Sequence, residues 1–250
     1  MGDPLRLYGL NALVLHAADG VGEAIARTFI KHGASVIAVD SDNSGVEQRF
    51  SSVKGITGMT AGLTDPDCIP TLVDEAAKEL GGIDILVNDF PLRPDAPIEQ
   101  ADERFERLLE LRAALTMATC RAALPHIKQS PAGRIINIGF LRSFFAAGGT
   151  AAGARAEQDL ANLTRALAAD IGELGITANY VQPGAIMTPA SREVFRKDKS
   201  LRDFCIEGSA ARRLGEPVDV AKVALFLASD DAVFVSGTGV AVDGGRTHPD

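Results

Sequence analysis

Hydrophobic positions along the chain alternate between short apolar runs and stretches with helical spacing. The apolar run 11–16 is followed by a glycine-bearing turn and then by a helical pattern over 23–32, which Gly33 ends. The next apolar run, 34–40, follows directly. A continuous apolar strand, a turn, a helix and a second apolar strand form one βαβ unit. The N-terminal part therefore predicts two parallel strands joined by a helix.

The same alternation continues to the C-terminus. Further helices are predicted at 71–80, 105–127, about 150–174 and 218–227, and further strands at 83–87, 134–138, 177–181 and 239–242. No linker rich in proline, glycine or serine interrupts the series, and no block of charge does. We therefore predict one α/β domain over residues 1–250, in which a doubly wound parallel sheet lies between two helix layers. Ligands are expected at the carboxyl ends of its strands.

Composition and charge exclude several classes of partner. The 250 residues carry a formal net charge of -8, and such an acidic surface repels nucleic acid and anionic membranes. No apolar run approaches the length of a membrane span, and residues 1–10 lack the core of a signal peptide. The three cysteines are isolated and have no metal-type spacing. They indicate reduced thiols in a cytoplasmic protein without a metal site.

The turn after the first strand keeps part of a glycine-rich dinucleotide loop. In such a loop, backbone N–H groups at a helix N-terminus face a pyrophosphate. Gly20 and Gly22 remain, but His16 holds the first glycine position and Asp19 adds a carboxylate that would repel the phosphates. Asp40 ends the second strand, where an acidic residue accepts the ribose hydroxyls of NAD. The two glycines also fit a plain strand–helix turn, and Asp40 also fits a solvated turn.

Six segments of the chain together form a specific signature: 133–138, 163–168, 183–188, 212–217, 224–229 and 242–245. On these segments the chain resembles the short-chain dehydrogenase/reductase (SDR) family, from Leu13 to Gly245. The resemblance implies a Rossmann-type, three-layer α/β/α fold and an ancestry among NAD-dependent dehydrogenases. It also implies dimers and tetramers, because the C-terminal segments and the two longest helices build the interfaces in this family.

The resemblance also locates the four positions that carry catalysis in the family. There a Tyr exchanges the hydroxyl proton, a Lys four residues later lowers its pKa, a Ser orients the substrate oxygen, and an Asn completes a proton relay. The matching positions here hold Arg112, Phe140, Gly153 and Glu157. Glycine has no side-chain proton, and a glutamate in place of the lysine would repel a phenolate. The resemblance therefore implies that this chain has no catalytic residues of the family's kind.

Further departures concern the cofactor. The family's Asn-Asn-Ala-Gly loop is Asn88-Asp89-Phe90-Pro91 here, and Gly62 replaces the Asp usually found near the adenine. Thr188 matches the residue that contacts the nicotinamide amide, although a Thr before Pro189 also starts a helix. The cofactor residues that remain are Gly20, Gly22, Asp40, Asn88 and Thr188. We expect this chain to bind no NAD tightly.

An altered site on a preserved scaffold favours a non-catalytic subunit. The expected partner is a homologous catalytic SDR chain that binds NAD and oxidises a secondary alcohol or a hydroxyacyl-CoA, in a heterotetramer. The first alternative is an SDR-fold enzyme with repurposed, lyase or dehalogenase-like chemistry. Halohydrin dehalogenases also lack the nucleotide-binding loop, but they keep a catalytic Ser-Tyr-Arg set. In this chain the only counterpart near those positions is Arg155, two residues from the place of the required arginine. The second alternative is a ligand-sensing regulatory protein with a preserved pocket.

Four charged residues bear on the first alternative. Arg112, Arg142, Arg155 and Glu157 would have to form a new polar site if the chain had acquired other chemistry. Long charged side chains are usually solvated. We therefore expect them to form ion pairs at the surface or in an interface.

Overall fold

A seven-stranded, all-parallel sheet forms the centre of the protein. The computed structural model describes residues 5–41, 43–90 and 97–246. Its strands are β1 (Asn11–Leu15), β2 (Ser35–Asp40), β3 (Ile56–Thr60), β4 (Ile85–Asn88), β5 (Arg134–Ile138), β6 (Thr177–Pro183) and β7 (Gly239–Val242). Their spatial order is β3-β2-β1-β4-β5-β6-β7. The predicted doubly wound parallel sheet is confirmed.

Helices cover both faces of this sheet. They are α1 (Gly20–Lys31), α2 (Val46–Phe50), α3 (Ile69–Leu80), α4 (Glu103–Ile127), α5 (Thr150–Ile171), α6 (Pro189–Lys197), α7 (Lys199–Glu207) and α8 (Pro217–Ala228). On one face α1 packs against α8, and on the other α3 and α5 both contact the long α4. The three layers agree with the prediction.

Successive residues of each strand enter two separate cores. In β1, Val14 joins the core that contains Phe29 of α1, whereas Leu13 joins the core that contains Val73 of α3. Both strand faces are therefore covered, and no polar face remains for solvent. This is why the strands appear in the sequence as continuous apolar runs rather than as an alternating pattern.

The sequence missed β3, which lies at the edge of the sheet. Its residues are mostly half-exposed or exposed, so its hydrophobic signal is weak. Gly58 lies so close to α2 that an added Cβ would come within 2.5 Å of the carbonyl oxygen of Val46. The tight approach of α2 therefore favours a glycine at this position. Glycine has a low strand propensity, so its presence in the sequence argued against a strand here. The helices α2 and α7 were also not predicted, and of α6 only the start at Thr188 and Pro189 was.

Neither a metal-binding cluster nor a membrane-spanning helix occurs in the part of the chain that the structure describes. No group of three or more His, Cys, Asp or Glu side chains there is placed to hold a metal ion. Among the same residues, no helix combines the length and the apolar character that a membrane span requires. Cys68 is exposed, Cys120 and Cys205 are buried, and all three are free thiols.

Candidate functional site

The candidate site lies where the strand order reverses. β1 pairs with β2 on one side and with β4 on the other, so the chain leaves these neighbouring strands in opposite directions along the sheet. In doubly wound folds this switch point is the ligand cleft. Here it is lined by His16, Asp19 and Gly20 after β1 and by Asp89 and Phe90 after β4.

The turn after β1 is tightly built around His16. Its φ of +51° lies in the left-handed region, where a non-glycine residue costs about 1 kcal/mol. Gly20 also has a positive φ, of +61°. A Cβ on Gly22 would lie 2.2 Å from the carbonyl oxygen of His16, so only glycine allows α1 to begin here. Gly20 and Gly22 thus have structural roles whether or not a phosphate binds.

Asp40 turns its carboxylate toward the protein's own backbone. Oδ2 accepts a hydrogen bond from the N–H of Ala18 at 2.9 Å, and Oδ1 accepts one from the N–H of Ser41 at 2.7 Å. The Nδ1 atom of His16 lies 3.7 Å from Oδ1. The side chain expected to bind a ribose therefore ties the end of β2 to the turn after β1.

Phe90 closes the cleft from the side of β4. Its side chain is only 1% exposed, and its ring meets the His16 ring edge-on with centroids 5.8 Å apart. The space left between the cleft residues is about 30 Å³, which is about the volume of one water in the liquid. With two carboxylates, Asp19 and Asp89, on the same lining, these residues do not fit NAD. Pro91 lies outside the described residues.

Arg112 is buried within the chain, so the expectation that it forms an ion pair at the surface or in an interface is wrong. Its guanidinium stacks over the ring of Phe140 at 4.3 Å and donates a hydrogen bond to the carbonyl of Ile138. Burial lowers the pKa of Arg112 to about 10, against the opposing effect of the Asp89 and Asp159 carboxylates. The group is therefore still charged at neutral pH. It fills part of the family's catalytic centre together with Phe140.

An aromatic cluster continues from this pair. Phe140 meets Phe145 edge-on at 6.0 Å, and Phe145 meets Phe105 of α4 at 6.3 Å. A Cβ on Gly153 would make only an ordinary contact with the Phe145 ring, at 3.8 Å. Gly153 therefore leaves room beside the cluster, where the family has a tyrosine.

Replacing Gly153 by alanine is expected to raise the free energy of unfolding by about 0.5–1 kcal/mol. Gly153 lies inside α5 and its surroundings accommodate a methyl group, so only the helix-weakening effect of glycine is removed. Urea denaturation measures the change. The reverse substitution on the same turn, Ala154→Gly, should lower the free energy by a similar amount. A destabilised Gly153→Ala variant would show that the space beside Phe145 is needed by the fold.

A larger cavity, of about 250 Å³, lies on the far side of Phe140. Gly153 and Glu157 of α5 line it together with Arg142, Phe145 and residues of α7. Arg142 donates to the carbonyls of Phe145 at 2.6 Å and Ala146 at 3.1 Å. Of the four charged residues considered from the sequence, the structure brings only Arg142 and Glu157 to one cavity.

Arg155 faces away from this cavity. It forms ion pairs with Glu106 of α4 at 3.3 Å and with Asp159 at 3.1 Å, and its side chain is half-exposed. Its expected surface ion pair is confirmed. It therefore does not supply the arginine of a dehalogenase-like set.

Asn88 belongs to a buried polar network rather than to an open cofactor loop. Its Nδ2 donates to Oδ1 of Asn137 at 2.9 Å, and its Oδ1 accepts from the hydroxyl of Thr119 at 2.8 Å. Asn137 in turn donates to the hydroxyl of Thr164 at 3.0 Å. The network joins β4, β5, α4 and α5 directly beneath the cleft.

Thr188 caps α6. Its hydroxyl accepts from the backbone N–H of Ser191 at 3.1 Å, and it lies buried against Gly20. Pro189 occupies the first helical position, as the sequence predicted. Gly62, by contrast, is exposed and has open space around its Cα.

Sequence reasoning missed the contribution of α7 to the larger cavity. Phe204, Cys205 and Gly208 line it from this side. The signal was present, because Leu201, Phe204 and Cys205 follow the spacing of three and four that marks a buried helix face. The segment is short and strongly charged around these positions, which hid the pattern.

The fold and the cleft at its switch point define a Rossmann-type α/β protein, and comparison with known proteins identifies the family. A family model described as enoyl-(acyl carrier protein) reductase matches residues 17–247. The chain therefore belongs to the short-chain dehydrogenase/reductase family.

Individual relatives agree with this assignment. An uncharacterized oxidoreductase of Schizosaccharomyces pombe is 35% identical over 96% of this chain and 92% of its own length. The L-fucose dehydrogenase of Mus musculus is 32% identical over 96% of this chain and 89% of its own. The crystal structure of a hydroxysteroid dehydrogenase from Escherichia coli superposes with a TM-score of 0.81 at 30% identity, covering 98% of this chain and 99% of that one.

Proposed function

We propose that this chain is a non-catalytic subunit of a hetero-oligomeric, NAD-dependent short-chain dehydrogenase. A homologous subunit binds NAD and carries the reaction. The observation that carries the proposal is the buried contact between Arg112 and Phe140, because it places a guanidinium and an aromatic ring where the family has two catalytic groups. With Gly153 and Glu157 at the other two positions, no side chain remains at these positions to pass a proton as the family does.

The filled cofactor cleft supports the same proposal. Phe90 is packed into the core and Asp40 is bonded to the backbone, so the adenosine half of the cleft is occupied by the protein itself. The remaining wall of the cleft is formed by Phe140, Leu141 and Phe144, and the space between all these residues is about 30 Å³. NAD is therefore assigned to the partner subunit and not to this chain.

The surface near the C-terminus supports assembly with a partner. In the described sheet, β7 is an edge strand, paired only with β6. A few residues before β7 in the chain, Phe234 is fully exposed and Val233 is 64% exposed. Neighbouring apolar side chains that are left in solvent are typical of interfaces. The proposed assembly is a heterotetramer with the catalytic SDR chain, located in the cytoplasm.

The combined loss of the catalytic tetrad and the cofactor loop suggests a particular complex. In these losses the chain resembles the inactive partner chain of hydroxy(phenyl)methylsuccinyl-CoA dehydrogenase, an enzyme of anaerobic toluene degradation. This part of the proposal rests on the pattern of losses and not on a residue that recognises the substrate.

The purified chain is expected to give no binding heat with NAD⁺ or NADH in calorimetry and no dehydrogenase turnover. Co-expression with a homologous SDR chain that keeps the tetrad should yield a mixed tetramer in native mass spectrometry. Replacing the tetrad tyrosine of that second chain should then lower the activity of the tetramer roughly 10²–10⁴-fold. Dehydrogenase turnover by this chain alone would disprove the proposal.

One observation favours the alternative of repurposed chemistry. Glu157 lines an open cavity of about 250 Å³ and is a candidate general base there. Arg112, in contrast, is buried and does not line this cavity. Turnover of a halohydrin by the purified chain, abolished by Glu157→Gln, would favour this alternative over the subunit.

A further inference from the structure

We propose that the cavity beside Gly153 binds a small organic acid, a carboxylate on an apolar body, as a ligand that the chain does not transform. This inference goes beyond the subunit role. Binding there requires neither NAD nor a second chain, because every residue that carries the argument belongs to this one.

The cavity offers space that the cofactor cleft lacks. It measures about 250 Å³, against about 30 Å³ for the cleft, and Phe140 lines both. It lies at the carboxyl ends of β5, β6 and β7 under α7, and Gly153 leaves its α5 side open. Sites for drug-sized ligands begin at about 300 Å³. The cavity therefore fits a metabolite of modest size.

The apolar part of the ligand is defined by three aromatic rings. Phe140, Phe145 and Phe204 line the cavity from the loop after β5 and from α7. Phe140 and Phe145 are almost fully buried and hold each other edge-on, so their positions are fixed. Such walls favour contact with a flat or branched hydrocarbon body.

The charged part of the ligand is defined by Arg142. Its hydrogen bonds to the carbonyls of Phe145 and Ala146 and its position 5.3 Å from the Phe204 ring centroid orient the guanidinium within the lining. A guanidinium held in a fixed direction matches the two oxygens of a carboxylate. Arg142 therefore selects an anion, next to the rings that select an apolar body.

Other charged groups line the cavity as well. α5 begins at Thr150, which lines the cavity, so the N–H groups of its first turn add to the positive potential. Arg246 adds a second cation to the lining, and Glu157 and Asp243 add two carboxylates. The lining therefore carries charges of both signs, and the side expected to bind an anion beside an apolar body is the one where Arg142 lies against the Phe204 ring.

Benzoate is the probe, with benzamide as its uncharged counterpart of the same shape. Calorimetry on the purified chain is expected to give measurable benzoate binding, with benzamide weaker by about tenfold or more. Arg142→Met should reduce benzoate binding to the level of benzamide. Arg155→Met, on α5 but outside the cavity, is the matched control and should leave both affinities unchanged.

Gly153→Tyr provides a second test that does not disturb Arg142. The family has a tyrosine at this position, and its ring would fill the cavity from the α5 side. Binding of both probes should be lost while the unfolding midpoint is retained. Absence of benzoate binding by the unsubstituted chain, equal binding of benzoate and benzamide, or binding unaffected by Gly153→Tyr would each overturn the inference. None of these results bears on NAD binding or on co-assembly, which test the subunit role separately.

Discussion

Replacing Arg112 by alanine is expected to lower the free energy of unfolding by about 2–5 kcal/mol, because it removes a large side chain from the packed interior. Arg112 is 6% exposed, and burial of its guanidinium outweighs the attraction of the Asp89 and Asp159 carboxylates in its pKa. The expected loss therefore comes from packing, since the face of Phe140 loses its stacking partner. The carbonyl of Ile138 also loses the hydrogen bond from the guanidinium. Urea denaturation of the purified chain, followed by circular dichroism, measures the effect.

Arg155→Ala is the matched control for this prediction. Arg155 forms an ion pair with Asp159 at the surface, where such pairs contribute only about 0–1 kcal/mol. A small loss in both variants would mean that Arg112 is not part of the folded core. The subunit proposal would then lose the observation that carries it, because an arginine that does not stabilise the empty chain is free to bind a ligand.

Replacing Asn88 by alanine is expected to lower the free energy of unfolding by about 1–3 kcal/mol. The substitution leaves the buried Oδ1 of Asn137 without the hydrogen bond from Asn88, and an unsatisfied buried acceptor costs about that much. The Thr119 hydroxyl can still donate to the carbonyls of Leu115 and Thr116. A smaller term comes from the loss of the amide contact to the Sγ of Cys120, at 3.5 Å. The same denaturation experiment measures the change.

Asn162→Ala is the control for this second prediction. Asn162 accepts a hydrogen bond from Gln158 on the exposed side of α5, so its loss should change the stability by about 0.5 kcal/mol or less. If Asn88→Ala were equally harmless, the network would not explain why this asparagine remains beside an altered cofactor loop. A large effect would account for its presence without any cofactor.

The two predictions concern one residue that differs from the family's pattern and one that matches it. Arg112 departs from the family's pattern and Asn88 agrees with it, yet both are held by contacts within the chain. The same is true of Asp40, whose oxygens accept backbone N–H groups, and of Thr188, which caps α6. The cofactor residues that remain are therefore explained by their structural roles, and their presence alone is no argument for NAD binding.

The sequence by itself determined the architecture, and through the family resemblance it predicted that the catalytic tetrad is missing. Strands buried on both faces produce continuous apolar runs, and the helices between them show regular spacing, so local composition was enough to predict the parallel sheet. The edge strand β3 was not predicted, because only one of its residues is buried and its apolar signal is weak. The residue types at positions 112, 140, 153 and 157 likewise needed no coordinates, since chemistry is carried by the side chain itself.

Only the tertiary structure decided what those four side chains do. Charge alone predicted a solvated Arg112, but β5, α5 and the aromatic ring of Phe140 surround it and supply compensating contacts. Whether a glycine at position 153, where the family has a tyrosine, leaves a cavity or is packed over depends on residues that are distant in the sequence. Here Phe145 and α7 leave a cavity beside Gly153. Burial and open space arise from packing between segments, and no local pattern in the sequence records them.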